Sequence, residues 1–489
     1  MRYKQYLRQR YRALLGYSGQ IIALIGLFHL VPLLLLLVYP QEIHVAGGFI
    51  LAGAPLVVVG LLAWRWFTPK EPLSLSVQEG SVVVLAVWLL ALLSATVPLM
   101  YATPLNFVQA LFESTSGWTC TGLTVIDVAQ TSPIVLFYRS FIQLAGGAGF
   151  AIIALSAVAG SFSAGLVAAE GRTDQLAPHV RQSASIVLTM YSGYTILGIL
   201  ALRLAGMDWF DSVNHAFTAV ATAGFSTRTT SIVYWDNPAI EAVLIVLMLL
   251  GAINFFIAYT FLRGKVRAVI RSGEIRLMTA LIGGGAVLLL LVTTSHIYPT
   301  LEKAVRVALF ELVSALTTTG FSTVDYRTWP DFGWLVLILA MLFGGGTGST
   351  AGGIKLLRIY IVYKAMEWEI RRAFMPRHMI NEPAIWQGDR RTLLDDRQVR
   401  QVALFIGLYL SVFLVGSGLM MAYGYSLKES LFEFASTLGT TGLSVGVTSP
   451  NLPPVLLLAQ SFAMLLGRLE FFAVIVGAIK LLSDLRRTL

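Results

Sequence analysis

Four times along the chain a short threonine- and glycine-containing segment lies between two hydrophobic stretches, and this recurrence constrains the architecture more than any other feature. The copies are Ser116-Gly-Trp-Thr-Cys-Thr-Gly-Leu-Thr124, Thr218-Ala-Val-Ala-Thr-Ala-Gly-Phe-Ser226, Ser314-Ala-Leu-Thr-Thr-Thr-Gly-Phe-Ser322 and Ser436-Thr-Leu-Gly-Thr-Thr-Gly-Leu-Ser444. Aligned on Gly122, Gly224, Gly320 and Gly442, each has Ser or Thr six residues before the glycine, Cys or Thr two before, and Phe or Leu just after. Four copies of one polar loop in an apolar chain suggest a ring around an axis. A ring of loops encloses a pore.

The surroundings of the loops are those of a membrane protein. Of 489 residues, 56% are hydrophobic and 12% charged, and the mean hydropathy is +0.74, outside the range of soluble domains. A helical crossing needs about 20 mostly apolar residues. Such runs are expected near 18–39, 46–67, 80–101, 134–158, 186–206, 239–262, 277–298, 333–363, 401–424 and 455–482. Ten crossings put both termini on one side of the membrane.

Basic residues choose that side, because cytoplasmic loops retain Lys and Arg. Arg2, Lys4, Arg8, Arg10 and Arg12 precede the first span, and Arg263, Lys265, Arg267, Arg271 and Arg276 follow the sixth. Lys364, Arg371, Arg372, Arg377, Arg390, Arg391, Arg397 and Arg400 precede the ninth, and Arg486 and Arg487 close the chain. The segments 40–45 and 102–132 lack Lys and Arg, and 425–454 has only Lys428. Both termini are therefore expected in the cytoplasm and the four loops outside. No cleavage site follows the basic N-terminus, so the first span reads as retained.

Other classes are poorly supported. The net charge of +9 belongs to inner loops and does not suggest nucleic acid. Cys120 is the only cysteine, which excludes an internal disulfide and a cysteine zinc site. An enzyme would need a convergent catalytic set, but Glu113, Glu311 and Glu433 sit on separate repeats with no cofactor fingerprint beside them.

The aligned glycines stand roughly 100 residues apart, the sign of a repeated architecture. Spans three to ten then form four span–loop–span units in one orientation, and spans one and two stand outside the repeat. Parallel repeats enclose something on their common axis, whereas inverted repeats would suggest a rocking carrier. An ion-coupled secondary carrier is the remaining transport alternative. Short amphipathic stretches precede the loops at Phe107–Glu113, Ala308–Ser314 and Leu431–Ser436, and Glu113, His215, Glu311 and Glu433 stand nine residues before the glycines. These runs are too short to cross and read as re-entrant pore helices whose C-terminal ends favour a cation. Carbonyl rings replace a cation's hydration shell, and threonine adds hydroxyl oxygens without full charge. Close helix packing by small residues is the structural alternative.

These features together resemble the Trk/Ktr/HKT superfamily of potassium transporters. The likeness rests on four span–pore-helix–span units and on loops such as Thr318-Thr-Gly-Phe-Ser322 and Thr440-Thr-Gly-Leu-Ser444. Two extra N-terminal spans make the TrkH/TrkG branch the nearer match. The resemblance implies an all-α integral membrane fold of ten transmembrane helices, two of them N-terminal and the rest arranged as four parallel repeats around one pore. It implies potassium as the transported ion with no organic cofactor, a homodimer with one pore per protomer, and a cytosolic TrkA-like nucleotide-binding (NAD/ATP) ring as regulatory partner. The implied location is the bacterial cytoplasmic (inner) membrane. The corresponding divisions are 1–75 for the N-terminal extension, then 76–160, 161–264, 265–365 and 366–489 for the repeats.

Carried over by position, the filter residues are Cys120, Thr121 and Gly122; Thr222, Ala223 and Gly224; Thr318, Thr319 and Gly320; and Thr440, Thr441 and Gly442. Cys120 and Ala223 break the fourfold uniformity, so backbone carbonyls are the safer ligands. Related sodium-conducting proteins have serine in place of the first glycine, and Gly122 therefore implies potassium. The run Gly344-Gly-Gly-Thr-Gly-Ser-Thr-Ala-Gly-Gly-Ile-Lys355 lacks Walker spacing. Its glycines predict local unwinding inside the eighth span. The resemblance makes it an intramembrane gate, with Gly344, Gly345, Gly346, Thr347, Gly348, Gly352, Gly353 and Lys355 as gate residues; a closely packed kink is the alternative. Arg468, charged within the last span, costs roughly 2.5–3.5 kcal/mol on insertion scales unless it meets a partner or water. The resemblance puts it below the filter as a barrier to cations, and a buried bridge to a neighbouring helix is the other reading.

Overall fold

A computed structural model describes residues 2–69, 76–148, 180–375, 384–387 and 390–488. The described residues are almost entirely helical, with one two-stranded antiparallel pairing among them, Ala384–Gln387 with Arg390–Leu393. Among the described residues, six helical runs are long and apolar enough to cross a bilayer: Lys4–Leu37, Pro40–Phe67, Val77–Ala102, Ala184–Ala205, Gly273–Ile297 and Asp396–Ala422. Two more candidates are bent pairs, Pro238–Ala252 with Phe255–Leu262 at 110° and Pro454–Leu469 with Phe472–Arg486 at 104°.

The remaining two of the ten expected spans are neither single long helices nor bent pairs of this kind. The fourth forms the helix Pro133–Gly147, and its expected end near 158 lies outside the described residues. The eighth is split into Asp331–Leu342 and Leu356–Ala373 by the glycine-rich run, in accord with the unwinding expected from its composition. By length and composition, up to eight crossings are thus supported among the described residues.

Each Thr/Gly segment follows a short helix, as the amphipathic stretches predict. These pore helices are Phe107–Trp118, Trp209–Val220, Leu301–Leu316 and Leu427–Leu438. Every one starts at a residue whose side chain accepts an otherwise orphaned backbone N–H: Asn106 from Gln109, Asp208 from Asp211, Thr300 from Lys303 and Ser426 from Glu429. At Asn106 and Ser426 the residue three positions on reciprocates, closing a capping box. Three of the four outgoing helices have proline within their first two positions, where the missing N–H costs nothing.

The repeats close on themselves. The last helix, Phe472–Thr488, lies along Val77–Ala102, the first span of repeat 1, and Pro454–Leu469 packs on the first pore helix. The N-terminal pair, Arg2–Leu30 and Ala46–Phe67, packs together along a glycine seam. A Cβ on Gly53 would lie 2.7 Å from the carbonyl oxygen of Gly26, so the backbones touch where membrane helices commonly use small residues. The pair docks on repeat 1 through buried His29, whose ring nitrogens lie 2.8 Å from the Tyr138 hydroxyl and 2.9 Å from that of Ser94. Gly53→Leu should overpack this seam at a cost of about 1–3 kcal/mol. A lower thermal midpoint in detergent is the expected result, and an unchanged midpoint would contradict the packing described.

Candidate ion filter and intramembrane loop

The segments leaving the pore helices share an unusual backbone. Two residues before each aligned glycine, Cys120, Thr222, Thr318 and Thr440 have φ of 58°, 49°, 53° and 50°. The glycines Gly122, Gly224, Gly320 and Gly442 have φ of 93°, 74°, 86° and 97°. Left-handed conformations at non-glycine residues cost energy and persist only where the surroundings enforce them. Here the strain occurs at the same position in all four repeats. The residue between adds a shared bond to its own pore helix: the N–H groups of Thr121, Ala223, Thr319 and Thr441 donate to the carbonyls of Ser116, Thr218, Ser314 and Ser436 at 2.8–2.9 Å.

The four segments form a closed ring. A Cβ on Gly122 would lie 2.3 Å from the Ala223 carbonyl oxygen, one on Gly224 2.1 Å from that of Thr319, one on Gly320 2.0 Å from that of Thr441, and one on Gly442 2.2 Å from that of Thr121. Each glycine thus abuts the carbonyl preceding the glycine of the next repeat, and the fourth returns to the first. The spacing leaves no room for a side chain, which explains glycine at all four places. These contacts bring together Thr121 and Gly122, Ala223 and Gly224, Thr319 and Gly320, and Thr441 and Gly442, with Cys120, Thr222, Thr318 and Thr440 preceding them in the chain. Above it opens a cavity of about 430 Å³ that the four glycines line together with Arg228, Asp325 and other loop residues.

Polar side chains behind the ring fix its outgoing segments. The Ser116 and Ser436 hydroxyls accept the N–H of Gly122 and Gly442 at 3.1 and 2.9 Å, accounting for the hydroxyl six residues before the glycine in those repeats. Glu113 accepts from the Val125 N–H and Thr124 hydroxyl, both at 2.9 Å. Glu311 accepts from the N–H and hydroxyl of Thr323 at 2.7 and 2.6 Å. Glu433 gathers the N–H groups of Val445 and Val447 and the hydroxyls of Ser444 and Thr448. In repeat 2, His215 Nε2 lies 2.9 Å from the Ser226 hydroxyl. The four residues nine before the glycines are therefore buried braces. Arg139, itself buried, pairs with Glu113 and lies over the Phe225 ring at 4.0 Å.

The glycine-rich run forms a loop packed against the other end of the ring. Its neck is closed by Gly344 N–H to Ile354 O at 2.8 Å and Ile354 N–H to Leu342 O at 2.9 Å, and the Leu356 N–H reaches Gly345 O at 3.1 Å. Gly346 and Thr350 donate to Ala252 and Gly251 at 2.7 and 3.2 Å, using carbonyls at the break in the sixth segment. The Thr347 N–H meets Glu274 at 2.6 Å, and Lys355 Nζ donates to Ala351 O. Gly348 and Gly353 take φ of 72° and 66°. Contact with the ring is direct: Gly352 donates to the Thr318 hydroxyl at 2.8 Å, the Thr350 and Thr222 hydroxyls are 3.0 Å apart, and a Cβ on Gly352 would fall 2.0 Å from the Thr440 hydroxyl oxygen.

Arg468 completes the assembly. Its guanidinium donates to Thr350 O at 2.6 Å on the loop and to Gly146 O at 2.5 Å on the outgoing helix of repeat 1. Two residues later the helix ends at Glu470, which is left-handed (φ 55°) and paired with Arg358. Arg468 and Glu470, two residues apart, thus have separate partners. The breaks at Asn254 and Glu470 were invisible to hydropathy, which runs on through both; the Asn254 side chain that caps the next helix, accepting from the Phe256 N–H at 2.7 Å, was the available signal at the first.

The chain matches the family model described as "TrkH: Cation transport protein" over residues 51–486. It is 30% identical over 464 residues to an uncharacterized cation transporter of Methanocaldococcus jannaschii, covering 94% of this chain and 93% of that protein. To the Trk system potassium uptake protein TrkG of Escherichia coli it is 32% identical over 473 residues, 94% and 96% of the two chains. The crystal structure of the potassium transporter TrkH from Vibrio parahaemolyticus superposes with a TM-score of 0.82 at 28% identity, covering 95% of this chain and 98% of that one.

Arg139→Met would leave the buried Glu113 without its cationic partner. Breaking a buried pair in this way costs about 3–5 kcal/mol. Folded yield and thermal midpoint in detergent should both fall, while a wild-type midpoint would show that the pair is dispensable.

Proposed function

This chain belongs to the TrkH family of cation transport proteins, and we propose on that footing that it carries potassium into the cell through the ring of four Thr/Gly segments. It is a multi-pass membrane transporter and not an enzyme. The observation that supports the potassium reading most is the cyclic approach of each glycine to the carbonyl of the next repeat. Carbonyls held at fixed spacing can replace the hydration shell of a weakly hydrated monovalent cation. The carbonyls of Thr121, Ala223, Thr319 and Thr441, with those of the flanking filter residues, are the proposed ligands. The relatives named for potassium uptake span nearly their whole length in the comparison, which favours the same cargo here.

The loop 344–353 and Arg468 are the proposed gate. The loop bonds to Thr222 and Thr318 at one end of the ring, and Arg468 ties it to the outgoing helix of repeat 1. An ion leaving the ring in this conformation meets the loop and a fixed positive charge. Opening requires the loop to exchange its bonds to Gly251, Ala252 and Glu274 for others. A TrkA-like nucleotide-binding ring, docked on basic segments such as 263–276 and 364–400, supplies the regulation in this reading, and the protein works as a homodimer in the inner membrane with both termini in the cytoplasm. The division into an N-terminal pair, 1–75, and four repeats follows from the same reading.

Tracer rubidium or potassium uptake into proteoliposomes tests the function. Gly122→Ser should lower the preference for potassium over sodium, because its Cβ would press on the Ala223 carbonyl; an unchanged preference would contradict a carbonyl-built filter. Arg468→Ala, and shortening of 344–353, should each raise flux several-fold. Flux at or below wild type in folded protein would leave both features a packing role only.

A further inference from the structure

Two of the filter positions lack the threonine found at the matching place in other repeats, and both lie at the same seam. Cys120 of repeat 1 touches Ala221 and Ala223 of repeat 2, forming a small buried apolar cluster of their own. In repeats 1 and 3 the residue before the glycine is a threonine whose hydroxyl lies 2.8 Å from that of a second threonine two positions earlier: Thr121 with Thr119, and Thr319 with Thr317. In repeat 2 these two positions are Ala223 and Ala221, so neither hydroxyl exists.

The missing polar contacts are replaced from the outgoing helix of repeat 1. Gln143, fully buried, donates its amide N–H to the Ala223 carbonyl at 2.8 Å and accepts the Phe225 N–H at 3.1 Å. Its own backbone carbonyl accepts the Cys120 thiol at 3.2 Å. One residue therefore grips repeat 2 on both sides of Gly224 and holds repeat 1 as well. The residues at the same distance after the other glycines are Ile245, Met341 and Ala463, none of which can form such bonds.

We propose that Gln143 is a positioning residue for ion selectivity, orienting the Ala223 carbonyl that repeat 2 contributes to the ring. The inference rests on the filter reading above. Ala223 O is also the atom that a Cβ on Gly122 would strike, so the amide and the first glycine act on the same ligand from different sides. A carbonyl has two acceptor directions. Gln143 occupies one from behind and leaves the other for the ion. Because the bond withdraws part of that oxygen's electron density, the ring carries one ligand weaker and more rigidly held than the other three. Potassium selectivity in this chain then depends on the side chain of an outgoing helix as well as on the loops.

Two substitutions test this. Gln143→Glu keeps an acceptor for the Phe225 N–H but removes the amide donor, and Gln143→Met keeps the volume and removes both bonds. Gln460→Met is the control, since the buried Gln460 amide faces the Thr448 hydroxyl and not a filter carbonyl. Potassium and sodium are competed against tracer rubidium in proteoliposomes, with a thermal midpoint measured on each protein. Both Gln143 variants should lose discrimination by about 5-fold or more, the scale of one misplaced buried hydrogen bond, while Gln460→Met retains the wild-type ratio. A wild-type ratio in Gln143→Glu or Gln143→Met, whatever the fall in midpoint, would reduce Gln143 to a structural prop and overturn the proposal. An equal loss in the Gln460 control would overturn it too. Absence of potassium-sensitive uptake in the wild type would instead sink the functional reading itself.

Discussion

Contact between a glycine and the backbone carbonyl of the next repeat, made four times around one axis, is the constraint on which the rest of the structure depends. It requires glycine at four aligned positions, left-handed backbone two residues earlier, and four segments at a common depth. Backbone that is neither helix nor sheet survives within a membrane only when protein or water surrounds it. The ring must therefore be enclosed, and the four repeats with their capped pore helices enclose it.

The braces behind the ring follow from the same requirement. Irregular segments leave N–H groups without helical partners, and a buried unsatisfied N–H costs about 1–3 kcal/mol. Glu113, Glu311 and Glu433 each collect one or more of these groups, with His215 holding the Ser226 hydroxyl in repeat 2. Repeat 1 adds Arg139 to balance its carboxylate, and the seam between repeats 1 and 2 uses Gln143 where threonines are absent. Quasi-fourfold geometry at the ring is thus supported by a buried carboxylate in three quadrants and by imidazole and amide side chains at repeat 2. At the opposite end from the cavity, the glycine-rich loop takes bonds from two of the threonines whose strained backbone begins the ring.

Much of this was legible in the chain because the repeats share one local frame. Gly122, Gly224, Gly320 and Gly442 align by inspection, and the short amphipathic runs before them are pore helices in the structure. The density of glycine in 344–353 likewise foretold an interrupted helix. Features that depend on partners distant in sequence were not visible. Gln143 meets Ala223 across 80 positions, and Arg468 finds carbonyls more than 100 residues away where a carboxylate partner would be the usual guess. The sharp bends after Ala252 and Leu469 fall beside Asn254 and between Arg468 and Glu470, polar residues inside otherwise apolar runs, without proline at either break. Their cause is tertiary: Gly251 and Ala252 give their carbonyls to the loop, and Glu470 turns aside to Arg358.

The most direct test is to locate a heavy potassium analogue in crystals of the protein grown with rubidium or thallium. The account predicts anomalous density on the axis, level with the carbonyls of Thr121, Ala223, Thr319 and Thr441, and its displacement by excess potassium. Density absent from the ring, or found instead beside Glu113, Glu311 or Glu433, would contradict the claim that backbone carbonyls form the ion site.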